Sequence, residues 1–185
     1  MGIFNGQQVV SGFMVVPQYK WVRLATGVTT EATTSVHIDE YNGKKVTLCG
    51  AALKYKAPKR SDGKSYALYL NLGVATYNDK GEMTSFRPVI YHAIAEGASA
   101  TTTRYGVAII DGSNGMYKTT WSVGSDTPPA YTSVNMLRPG AFDYSLIEAD
   151  PDCNAVRIYS PIQPDGTGMI EAGTEYEVWG LIREV

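Results

Sequence analysis

The chain alternates with a period of two and nowhere with a period of 3.6. No window of 12 or more residues carries apolar side chains at i, i+3, i+4 and i+7 without a glycine or proline breaking it. Short runs rich in Val, Ile, Thr and Tyr are instead separated by clusters of Gly, Asn, Asp and Pro, which is how strands and turns are spelled. In "SYALYLNLGVATY", Tyr66, Leu68, Leu70, Leu72 and Val74 fall on one face, and Tyr69 and Asn71 on the other. A chain written this way buries one side of each strand against a second sheet.

The pattern predicts strands near 8–16, 20–25, 35–39, 45–56, 65–76, 84–94, 104–110, 116–123, 154–159 and 175–183. The runs at 45–56, 65–76 and 84–94 read as a three-stranded antiparallel meander, joined through "SDGK" and "NDKG", with Pro88 demanding an edge position or a bulge. "TEYEVWGLIREV" places Tyr176, Val178 and Ile182 on one face and Trp179 and Leu181 on the other, so this strand is expected to be covered on both sides. Residues 25–35 and 95–106 are thin and polar and read as long loops. Residues 123–145 carry three prolines and read as an irregular excursion, with a short helix near 142–148. The expected fold is all-β: an antiparallel β-sandwich, jelly-roll-like, with long polar loops and little helix. It occupies residues 1–185 as a single domain, in which residues 1–16 serve either as a docking arm or as a first strand.

Composition narrows the function classes. The 185 residues are 44% hydrophobic, enough for a core, but only 18% charged, and Gly (19) and Tyr (13) are abundant. Such a surface suits contact with other protein, or with sugars. The net charge of −2 and the lack of a basic run beyond "KAPKR" at 56–60 argue against nucleic acid. The N-terminus has no basic start and no unbroken apolar stretch, so neither a signal peptide nor a membrane span is expected, and Gly6 stands where myristoylation needs Ser or Thr. Cys49 lies in an apolar run and Cys153 in a turn; they form no metal or redox motif, and synthesis in a reducing cytoplasm is the simpler expectation.

No catalytic signature is present: GxSxG, the P-loop, GxGxxG, HExxH and the EF-hand loop are all missing. "DGTG" at 165–168 resembles an aspartic-protease turn, but Gly166 separates the acid from the threonine, and a β-turn is the better reading. His37 and Asp39 share one strand face and could form half of a metal site, with His92 as a further ligand, but a metal needs three or four converging groups. The acidic turns at 78–82 and 148–154 lack the ligand spacing of a calcium loop. The run "GVAIIDGSNGMYKTTW" reads as strand, turn and strand, so Asp111 is a hairpin residue rather than a catalyst. The expectation is therefore a non-enzyme with no cofactor and no metal. Tyr105, Tyr117, Trp121 and Tyr131, in or beside the 104–131 loops, are the candidate interaction surface.

With few charges, many Thr, Gly and Tyr, no targeting signal and no catalytic constellation, the chain resembles the small β-rich structural proteins of tailed-bacteriophage virions: decoration, cement, head-fibre or tail components. That resemblance implies assembly in the host cytoplasm into the virion and a cyclic homo-oligomer, a trimer first. The implied partners are copies of itself and a major capsid or tail protein, with no nucleic acid and no membrane. The alternative is a carbohydrate-binding, adhesin-type β-sandwich, a receptor-binding tip for which a glycan is the ligand.

Overall fold

The computed structural model describes residues 18–59, 66–98, 103–125, 148–160 and 169–184. Among these there is no helix. The strands are β1 (Gln18–Val28), β2 (Ser35–Ile38), β3 (Glu40–Tyr41), β4 (Lys44–Lys45), β5 (Leu48–Ala57), β6 (Tyr66–Tyr77), β7 (Met83–Ala98), β8 (Arg104–Asp111), β9 (Lys118–Ser125), β10 (Ala155–Tyr159) and β11 (Glu175–Glu184). A five-stranded sheet has the order β1-β11-β5-β8-β9 and a four-stranded sheet the order β2-β10-β6-β7, with every neighbour antiparallel. The predicted all-β antiparallel sandwich is what the chain forms.

The ladders nest. β1 pairs with β11, β2 with β10, β5 with β8, and β6 with β7, so the chain runs as one long hairpin that turns at Asn78–Glu82 and then rolls into two sheets. This is the strand order of a jelly roll, with β9 added at one edge. The turn at the tip is held by the Asn78 side chain. Its Oδ1 accepts from the backbone N–H of Lys80 at 3.0 Å and of Glu82 at 2.9 Å, and its Nδ2 donates to Glu82 Oε2 at 2.7 Å. The acids of 78–82 thus build a turn.

The core lies between the inner faces. Ala51, Leu53, Ala108, Ile110 and Val178 come from one sheet, and Leu68, Leu70, Leu72, Ile90, Val156 and Ile158 from the other, all fully or almost fully buried. Each buried leucine contributes roughly 1.5–3 kcal/mol. One end of the core is closed by Tyr117, whose hydroxyl accepts from the backbone N–H of Asp150 at 3.1 Å and lies 3.4 Å from Cys153 Sγ. Gly112 is needed beneath it, because a Cβ there would lie 2.5 Å from the Cys49 carbonyl and 2.8 Å from the Tyr117 ring. Gly115, at φ 79°, completes the Asp111–Gly115 hairpin turn that the sequence predicts. Both cysteines are free, and burial raises each thiol to about 11, so neither supplies a thiolate at neutral pH.

Three expectations change. The meander does not form: β6 and β7 make the predicted hairpin, but β5 belongs to the other sheet and β6 takes β10 as its second neighbour. Period-two alternation says which face is buried, and β5 can bury its face equally well across the core as beside β6. The stretches at 25–35 and 95–106 are not loops throughout, since β1 runs to Val28, β7 to Ala98, and β8 starts at Arg104. A further hairpin, β3–β4, went unpredicted although "YNGK" spells it: Asn42 (φ 53°) and Gly43 (φ 72°) supply the two left-handed residues of a tight turn. Pro88 lies in the edge strand β7 at a register shift, as expected. The predicted strand at 8–16, the arm at 1–16, most of the 123–145 excursion and all but Glu148 of the helix near 142–148 lie outside the described residues.

Two outcomes follow for stability. His92 points into the core at 8% exposure, and desolvation lowers its pKa from 6.5 to about 4. The unfolded chain therefore takes up this proton first as pH falls. Stability should be full above about 6.5 and decline towards about 4, by up to about 3 kcal/mol. Thermal melts across this window check it: in His92→Leu the slope should flatten. Tyr117→Phe, which leaves the Asp150 N–H without its buried acceptor, should cost about 1–2 kcal/mol in a urea titration.

Candidate functional site

With the inner faces committed to the core, the outer faces of the two sheets carry whatever the chain presents. On the five-stranded sheet, register places Trp21, Leu181, Gly50, Asp111 and Lys118 in one row and Arg23, Trp179, Ala52, Ile109 and Thr120 in the next. Leu181 fills the space over Gly50, and beside it the small Ala52 leaves a depression walled by Trp21, Trp179 and Ile109 and edged by Asp111, Lys118 and Thr120. Leu181 is buried at 3% exposure in the first of these rows, while Trp21 remains 37% exposed. The Trp179 indole N–H donates to Glu177 Oε1 at 2.9 Å, which fixes the ring on the face. The next row brings Glu177, Lys54 and Val107. The result is an apolar centre with a rim of both charge signs. As the alternation predicts, Trp179 and Leu181 lie on the face opposite Val178.

The predicted aromatic surface is only partly placed here. Tyr105 is half-buried on this outer face, opposite Lys56, whose ammonium pairs with Glu175 at 2.7 Å. Tyr117 is corrected: it is fully buried, and its ring and hydroxyl belong to the core. The physical reason is parity, because the turn ends at Gly115 and Tyr117 enters the sandwich beside Cys153. Trp121 lies in β9 opposite Ala108, with its side chain outside what the structure describes, and Tyr131 lies outside the described residues altogether. Trp21, which sequence reasoning passed over, walls the depression; its signal was an exposed tryptophan parity in "YKWVR".

The outer face of the four-stranded sheet carries a different arrangement. Arg157 on β10 lies with its guanidinium carbon 4.5 Å from the Phe86 ring centre and 4.4 Å from that of Tyr159. The buried Asn71, across the ladder on β6, turns its Oδ1 to Arg157 and accepts from Nε at 3.2 Å and Nη2 at 2.9 Å. Gly73 makes room for Phe86, since a Cβ there would lie 2.8 Å from its ring. His37, paired with Arg157 across β2–β10, meets Phe86 edge-on at 5.4 Å. Tyr69 continues the aromatic row to Tyr159 at 6.4 Å and to the exposed Tyr91 at 6.1 Å. Among the described residues no carboxylate pairs with Arg157.

An open groove of about 550 Å³ runs over this cation, lined by His37, Asp39, Met83, Thr84, Ser85, Phe86 and Arg157. Desolvation, followed by the Arg157 charge, lowers the His37 pKa from 6.5, although Asp39 pulls it upward. Burial acts to raise the Asp39 pKa, but the Lys45 ammonium at 2.8 Å, the Tyr77 hydroxyl and the backbone together more than offset this and hold it below its ordinary value. Thr76 joins the hydroxyls of Thr84 (2.9 Å) and Ser85 (2.8 Å) along the groove wall.

The metal alternatives do not assemble. His37 and Asp39 share the groove, but His92 pairs with Leu70 and faces the core, on the opposite side of the sheet. In the acidic turn at 148–154, Asp150 accepts the Asp152 N–H at 2.9 Å and pairs with Arg87 at 3.2 Å. Among the described residues no group of three His, Cys, Asp or Glu side chains is placed to hold a metal ion. Compared with known proteins, the chain matches no family model and no curated protein sequence.

Proposed function

We propose that this chain is a non-enzymatic structural and assembly protein of a phage particle, a decoration, cement or fibre component that packs against further copies of itself and against a capsid or tail protein. The observation that carries the reading is the depression on the five-stranded sheet. Trp21, Trp179, Ile109 and Ala52 form an apolar centre, surrounded by Arg23, Lys54 and Lys118 on the one hand and Asp111 and Glu177 on the other. An apolar centre inside a polar rim is the anatomy of a protein interface. A rim of both signs can be matched by a mixed-charge face of a neighbouring copy, which favours self-association over a partner of single charge. The low overall charge and the wrapped two-sheet fold are in keeping with subunits that spend their life against others, and many modest contacts add up in a repeating shell or tube. Assembly in the host cytoplasm and a trimeric ring follow from the same reading.

A second reading, carbohydrate binding at a fibre tip, is favoured by the Arg157 groove with its aromatic row. The two readings use opposite outer faces and can hold together.

Light scattering behind size-exclusion chromatography tests the first. The wild-type chain should form a closed oligomer, and Trp179→Ala or Trp21→Ala should weaken association at least about tenfold, as the loss of an aromatic anchor of about 2 kcal/mol requires. A chain that stays monomeric at every concentration would overturn self-association. Purified particles in which mass spectrometry does not find the chain would overturn the virion assignment.

A further inference from the structure

We propose that the groove on the outer face of the four-stranded sheet binds a carboxylated saccharide, with Arg157 taking the carboxylate and Phe86, His37, Ser85 and Asp39 meeting the sugar ring. The proposal deepens the carbohydrate reading and rests on it. Arg157 is the starting point. Two aromatic rings and a buried amide hold its planar fork, yet among the described residues no acid neutralises it. A guanidinium held this way has already lost its side-chain freedom and part of its hydration, so an incoming carboxylate gains a charge-assisted, oriented contact at little ordering cost. The interaction with Asn71 uses Nε and Nη2 and leaves donors on Nη1 for a ligand.

The rest of the groove selects a sugar rather than an acidic peptide. Peptides are commonly captured by adding a strand to a sheet edge, where backbone groups are unpaired. This groove lies across a sheet face, where the β2–β10–β6–β7 ladders hold the backbone groups between strands and the unpaired groups of the edge strands β2 and β7 point outward in the plane of the sheet, so recognition in the groove is left to side chains. Those side chains are a flat ring (Phe86), hydroxyls (Thr84, Ser85), a carboxylate (Asp39) and an imidazole (His37), which suit the apolar ring faces and the hydroxyl edges of a pyranose. Asp39 supplies an acceptor in the groove and Arg157 the cation, so an acidic sugar has one favoured direction there. Tyr69 and Tyr91 extend the aromatic row beyond Tyr159, where a second ring of an oligosaccharide would lie.

The test is a titration of the full chain, followed by saturation-transfer NMR and calorimetry. The probes are the methyl glycosides of N-acetylneuraminic acid and glucuronic acid, the methyl ester of each, and neutral methyl glucoside. At least one acid should bind, its ester at least about tenfold more weakly, as loss of a charge-assisted pair implies. Its binding should shift the His37 ring signals. Arg157→Ala should abolish binding, and Arg157→Lys, which keeps the charge but not the fork, should weaken it, while Glu31→Gln, at an exposed position in the β1–β2 connection, leaves it unchanged. Because the ester comparison uses the unaltered chain, it stands even if an Arg157 variant unfolds. Neutral and esterified sugars binding as well as the acids would overturn the acidic assignment and leave the carbohydrate reading in place. If none of the saccharides binds, both fall.

Discussion

The antiparallel ladder between β1 and β11, from Gln18↔Glu184 to Val28↔Glu175, is the constraint on which the rest of this fold depends. It joins the two ends of the described chain and forces everything between them into nested pairs: β2 with β10, β5 with β8, β6 with β7. Each inner pair shortens the loop that the next must close, so the fold carries a large fraction of its contacts between residues far apart in sequence. Such topologies order slowly, because loop entropy is lost before the contacts repay it. The innermost turn, stapled by the Asn78 side chain, can form on local interactions alone.

Once the wrap is closed, the division of labour between faces follows. Residues of one parity supply the packed interior, and those of the other are free to vary without touching the core. The two outer faces have used that freedom differently. One collects tryptophans around small residues and encircles them with charges of both signs; the other clamps an arginine between rings, and among the described residues no acid pairs with it. An interface that buries apolar area and a groove that offers a fixed cation answer different ligands, and the body of the sandwich separates them. Their independence is physical, since a substitution on one face reaches the other only through a core that resists deformation.

Much of this was legible in advance. Ten of the expected strands were written as alternation, and nine of them fall on observed strands; the tenth lies outside the described residues. The Asp111–Gly115 turn was legible because glycine and Asx chemistry is local. The proposed meander failed at β5, whose apolar face is satisfied equally by a neighbour in the sheet or by a layer across the core. Tyr117 was assigned to the surface because it follows a turn, although its parity places it beside Cys153 in the interior.

The candidate sites divide along the same line. Trp179 announced itself by lying opposite Val178 in a strand with apolar groups on both faces. Only Tyr159, two residues along β10, is a local neighbour of Arg157; Asn71 and Phe86 come to it from β6 and β7, whose adjacency is decided by long-range pairing. By itself the sequence determined the period, the turns and the side of each strand that must be buried, since these depend on backbone geometry and the nearest neighbours along the chain. The tertiary structure alone decided which strands became neighbours, and hence which side chains met on the outer faces, because that choice depends on closing loops and filling one shared core.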